Sequence, residues 1–369
     1  MLVALVSAFR RIPGLLVLTT PAIGLSGNVF TTLGNRLSTS IHLGTFRPGL
    51  RVHGVMGGNL LASATLIVSM SVVLAAGARV LAIATDVRTV SFPSLVAIAV
   101  VGGLLGALPN AVLTVAMAVG ATRWGWDLDN LVAPIVSTFC DVLTIPALWI
   151  AAVVLRDLGI SNAIGVVTIV VAAVLVLVAL RHAGPDTRRI VSESVPILAV
   201  ALLFDTSGGL VLQGRLDALA ALPAVFVLVP AFVSSAGALG GIFCGRSASA
   251  LHLGSLRASV WPNRAAHRDI RFLVLLSLPV FLVNGLGAVA FSHIGDGSAA
   301  PGWGWTVGVS ITAGALTMFA VVMLSWWATV GAWRIGVDPD SAGVPIMSAA
   351  IDVIGAITIV TVVAAFGLH

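Results

Sequence analysis

Ten stretches of about 20 or more mostly apolar residues follow one another along this chain, and no polar segment between them is long enough to fold alone. Lipid offers a backbone no hydrogen-bond partner, so stretches of this kind cross a bilayer as helices. They read at 12–35, 56–85, 91–121, 130–155, 161–181, 189–212, 220–246, 270–294, 303–334 and 342–367. The fold class is therefore all-α: a polytopic transmembrane bundle of about ten helices, placed in a cell membrane.

A repeat organises these spans. Arg123, Gly125, Asp127, Asp129, Pro134 and Asp141 recur in order and spacing as Arg334, Gly336, Asp338, Asp340, Pro345 and Asp352. Gly27, Arg36, His42 and Gly44 recur as Gly237, Arg246, His252 and Gly254. The match pairs the first four spans with the seventh to tenth. An even number of spans separates each pair, so the halves point the same way, related by a pseudo-two-fold axis along the membrane normal. Residues 1–157 read as the first repeat, 158–187 as a linker helix that restores orientation, and 188–369 as the second repeat.

The net charge of +5 comes from arginine alone, for the chain has no lysine. Thirteen arginines follow the odd-numbered spans and six lie on the other side. This is the asymmetry of a membrane topology and of contacts with lipid headgroups, and nucleic acid is not an expected partner. The arginine-rich side reads as cytoplasmic and both termini as outward, with Arg10 and Arg11 standing against that orientation. The spans contain no nucleophile paired with a base and no histidine-rich ligand set, so an enzyme is not expected.

Asp141 and Asp352 interrupt spans that are otherwise apolar, near the bilayer midplane. A carboxylate there costs at least about 2.5–3.5 kcal/mol and needs a cavity or a partner. Two of them brought together across the pseudo-two-fold would repel, and a divalent cation between them removes the conflict. Ser137 and Ser348, one turn earlier, add hydroxyl oxygens. Carboxylates and hydroxyls without histidine or cysteine suit a hard ion that keeps its water, such as Mg2+. The alternative for each aspartate is a hydrogen bond to a neighbouring Ser or Thr, or a helix break.

Asn28, Thr32 and Asn35 share one face of the first span with Thr39 and His42, and would line the pathway. The matching positions of the seventh span are Ala238, Ile242, Gly245, Ser249 and His252, so the lining is expected to be asymmetric. Asp127, Asp129, Asp338 and Asp340 read as helix caps, with an acidic vestibule as the alternative for Asp129 and Asp340. Asp205, with no counterpart in the first half, reads as an outer cation or proton site.

The segment from Pro21 through Gly24, Gly27, Asn28, Asn35 and Arg36 to Thr39 resembles the glycine-asparagine helix of MgtE-type magnesium channels, and more closely that of the solute carrier family 41 transporters. The segment from Asp129 to Asp141 resembles that family's last transmembrane helix, and Asp340 to Asp352 repeats the likeness. The resemblance implies a pore between two repeats, here fused in one chain that could act as a monomer. It implies Asp141 and Asp352 as ligands of a largely hydrated magnesium ion. A sodium- or proton-coupled antiporter is the alternative within the transporter class, and a non-transporting membrane scaffold the alternative outside it.

Overall fold

The computed structural model describes residues 15–49, 51, 54–84, 89–157, 159–181, 184–213, 223–294 and 302–366. Arg10 and Arg11 lie outside them. Ten helices make up the described chain. The first five are α1 (Leu15–His42), α2 (Val55–Ala84), α3 (Phe92–Trp124), α4 (Leu128–Asp157) and α5 (Ser161–Arg181). Then come α6 (Pro185–Gln213), α7 (Pro223–His252), α8 (Ala266–Ile294), α9 (Trp303–Arg334) and α10 (Pro339–Ala365). Among the described residues, eight helices are long and apolar enough to cross a membrane, and the chain is a multi-pass membrane protein.

Hydropathy ends the first and seventh spans at Arg36 and Arg246, but the helices continue to His42 and His252. The reason is packing. The polar residues of the last two turns find partners on neighbouring helices, so they stay inside the bundle rather than leaving it. Both helices then stop at a left-handed glycine, Gly44 (φ 69°) and Gly254 (φ 70°). The loops before α4 and α10 turn on another such pair, Gly125 (φ 68°) and Gly336 (φ 77°). A side chain would strain these positions, which accounts for the recurrence of both glycine pairs.

Two cores form, one from α1 to α6 and one from α7 to α10 together with Ala133 of α4. Across the repeats α4 packs on α7, α10 packs on α1, and α1 meets α7 at the centre. Helix α6 straddles the boundary. It buries Ile190, Val191, Leu198 and Leu202 in the first core while lying along α10. Among the described residues, α4 has no neighbour of that kind.

The two-fold relation is visible in side-chain contacts. Thr39 and Ser249, equivalent positions, touch each other through their hydroxyls at 3.4 Å. Arg36 donates from Nε to Asn59 on α2 at 2.7 Å and from one Nη to Ser341 on α10 at 3.4 Å. Arg246 donates to Asp269 on α8 at 2.6 and 3.0 Å, and to Asn130 on α4 and Asp127 at 3.2 Å. Asp269 occupies the place of Asn59, and Asn130 that of Ser341. Each arginine thus joins its own repeat's second helix to the opposite repeat's last one.

Charge-assisted hydrogen bonds contribute about 1.5–3 kcal/mol. Arg36→Ala is therefore expected to destabilise the protein by about 1.5–3 kcal/mol, read as a lower thermal unfolding midpoint of the purified chain. Arg257→Ala, at an exposed position, serves as the control and should leave that midpoint unchanged.

Candidate cation site

Asp141 is near the middle of the 30-residue α4 and Asp352 near the middle of the 27-residue α10, each about 20 Å along its helix. The two are met differently. Ser234 on α7 donates its hydroxyl to Asp141 Oδ2 at 2.6 Å. The position equivalent to Ser234 on α1 is Gly24, so Asp352 has no such hydroxyl. Asp205 from α6 uses that room: a methyl on Gly24 would collide with its carboxylate.

Asp205 is only 2% exposed. Its carboxyl group lies within hydrogen-bonding reach of Asp352, and Asp141 is near enough to act on Asp352 electrostatically. Asp205, read from the sequence as an outer cation or proton site, thus lies beside Asp352. The offset has a simple origin. Near the start of helix α6, Glu193 accepts from the Asp338 N–H at 2.9 Å. Counted from that contact, Asp205 is about 18 Å along α6 and Asp352 about 21 Å along α10. Two carboxyl groups in mutual contact cannot both carry a bare charge; a proton or a cation must lie between them.

Polar atoms lead toward this group along α1. Asn28, Thr32 and Asn35 are buried, and Asn28 Nδ2, Thr32 Oγ1 and both amide atoms of Asn35 have no partner among the described residues. A crevice too narrow for a water molecule runs beside them, lined by Asn28, Thr32, Arg36, Ser194, Ser341 and Pro345. On the facing helix, Gly245 leaves room for Asn35: a methyl there would come within 3.1 Å of its Oδ1. Ser137 and Ser348 are half-buried, one turn before the aspartates.

The acidic residues at the helix starts divide. Asp338 is the N-cap of α10, accepting from the Asp340 N–H at 3.0 Å. Burial pushes its carboxyl up, but the His252 ring, the Asp340 N–H and the Arg36 charge outweigh burial and hold it below the usual carboxylate range. Asp129 and Asp340 are buried instead, facing His42 and His252. Thr39 donates to Asp340 Oδ2 across the repeat boundary at 2.6 Å.

Sequence reasoning did not anticipate Ser234, Asn59 or Asp269, nor the room that Gly24 gives Asp205. For Ser234 and Gly24 the signal is a difference between the repeats.

Residues 19–151 and 229–362 match the MgtE family, described as a divalent cation transporter. Among curated proteins, solute carrier family 41 member 2 of Xenopus laevis is 26% identical over 94% of this chain and 64% of its own length. The member 2 protein of Homo sapiens is 24% identical over 94% of the chain and 63% of its own length. Member 3 of Rattus norvegicus is 25% identical, with 94% and 78% covered. The chain thus spans less than two thirds of the member 2 relatives. No solved structure matches. With well over half of its residues matched, in one segment of each repeat, the chain belongs to the MgtE family of divalent cation transporters, a family of transporters and not of enzymes.

Proposed function

We propose that this chain moves a divalent cation, magnesium in the first instance, through the bundle between its two repeats. Asp141 and Asp352 hold the ion at mid-membrane, with Ser137 and Ser348 and the α1 face of Asn28, Thr32 and Asn35 serving its water shell. The observation that carries this reading is the file of buried polar atoms on α1, unpartnered among the described residues, beside the neighbouring carboxyls of Asp205 and Asp352. Such atoms are costly in a packed interior and cheap beside water or an ion. Magnesium fits because the donors are carboxylates, hydroxyls and amides, and because it gives up water reluctantly. A single chain supplies both repeats, so a monomer suffices.

Magnesium flux into proteoliposomes tests this. Asp141→Asn with Asp352→Asn should lower the flux at least tenfold while the protein stays monodisperse. Undiminished flux in a folded double variant would sink the mechanism.

A coupled mode has an observation of its own. Of the two mid-membrane aspartates, Asp352 alone is met among the described residues by a second carboxyl, that of Asp205, and that pair is suited to exchange a proton or sodium ion as the divalent ion arrives or leaves. Asp205→Asn should then keep magnesium flux but remove its response to an imposed proton or sodium gradient. Gly24→Ala, which crowds the Asp205 carboxylate, should do the same. Native flux indifferent to both gradients would discard coupling and leave uniport.

A further inference from the structure

A second kind of cation site is built at the arginine-rich end of the bundle, once in each repeat. His42, Asp127 and Asp129 bring one ligand atom each within 4.8 Å of the others, and so do His252, Asp338 and Asp340. The two trios occupy equivalent positions. In each, the imidazole comes from the end of the repeat's first paired helix, α1 or α7. One aspartate comes from the loop before α4 or α10 and the other from that helix's first turn. His42 Nε2 is 3.2 Å from Asp129 Oδ2. His252 Nε2 is 3.4 Å from Asp338 Oδ1 and 3.9 Å from Asp340 Oδ2.

Ion pairing alone leaves these trios incomplete. Asp129 and Asp340 are 4% and 2% exposed, yet Oδ1 of each is buried without a donor among the described residues. His252 Nε2 is also buried, and its facing oxygens on Asp338 and Asp340 stand off at 3.4 and 3.9 Å. At the first trio charge points the same way: among the described residues, Asp127 and Asp269 share the guanidinium of Arg246, and Asp129 pairs with the His42 ring. Buried acceptors with no donor, grouped around an imidazole, are what a metal ion satisfies.

We propose that each repeat binds a first-row transition cation of the manganese, cobalt and zinc type through this histidine and two aspartates, at a place apart from the mid-membrane carboxyls. One imidazole nitrogen with two carboxylates suits such ions and is a poor set for magnesium, which prefers oxygen and water. Outer contacts already orient the ligands. Thr39 holds Asp340, Arg246 and Asn130 hold Asp127, and Trp333 stands edge-on to the His252 ring at 5.1 Å. The site containing His252 is the more enclosed of the two, since His42 is 37% exposed against 25% for His252. A bound ion would tie the end of α1 or α7 to the start of the helix that carries Asp141 or Asp352.

The test is metal binding by the full chain in detergent micelles, with Co2+ as probe and no transport read. The Asp141→Asn, Asp352→Asn background should still bind two Co2+ per chain with nitrogen-ligated visible absorption, in the presence of a tenfold excess of Mg2+. His42→Gln and His252→Gln should each remove one ion, the latter the tighter. His267→Gln, outside both trios, should remove none. A cobalt count unmoved by the two trio substitutions overturns the proposal, and so does displacement of the ions by magnesium. If a trio variant does not fold, Mn2+ on the unaltered protein decides through pulsed electron paramagnetic resonance. Imidazole-nitrogen coupling that persists in His267→Gln is expected, and its absence overturns the sites.

Discussion

An arginine inside a helical bundle must be met by hydrogen-bond acceptors, and the arrangement of the two repeats follows from how Arg36 and Arg246 meet theirs. Each reaches a polar residue on its own repeat's second helix and another at the start of the opposite repeat's last helix. Separating the repeats would leave both guanidinium groups without part of their acceptors, a cost that falls mainly on the buried Arg36. The same contacts fix the height of α4 and α10. The depth of Asp141 and Asp352 is therefore set from the helix starts, by residues about 20 Å away.

With the frame held in this way, the contacts near the axis could diverge in compensating pairs. Gly34 on α1 gives room to Val132 on α4, while the equivalent pair has the sizes reversed, with Cys244 on α7 against Gly343 on α10. Asn35 projects toward its own counterpart Gly245. In each case one side is large because the other is small, as close packing at a shared boundary requires. The polar lining is one-sided for the same reason. An asparagine facing an asparagine would not fit where an asparagine facing a glycine does.

The fold class and the ten helices were legible in the sequence, because span length in a bilayer is a strong constraint and hydropathy reports it directly. The repeat was legible through residues that cannot drift, namely left-handed glycines such as Gly125 and Gly336 and aspartates too costly to keep without a partner. The ends of α1 and α7 were not. A hydropathy window registers Arg36 as the end of a span and cannot know that Asn59 and Ser341 wait for it. The place of Asp205 was hidden too. Its depth depends on where α6 enters the bundle, which Glu193 and the backbone of Asp338 determine through a contact of long sequence separation. Ser234 was missed because it differs from Gly24, and identity between repeats is blind to a role taken over by another helix.

Fusion of the repeats in one chain gives that last difference its meaning. Where two identical subunits meet on a true two-fold, both mid-membrane aspartates must have the same neighbours. Here one chain carries both repeats, so Asp141 can accept from a serine while Asp352 faces a carboxyl. The serine hydroxyl stabilises an ionised aspartate, whereas a facing carboxyl demands a proton or a metal ion. The two halves of the proposed site are thus unequal in what they would ask of an ion. Helix α6, which delivers Asp205, has no described counterpart beside α4. The extra helix and the extra carboxylate are the same departure from symmetry, and they converge on the aspartate that no hydroxyl satisfies.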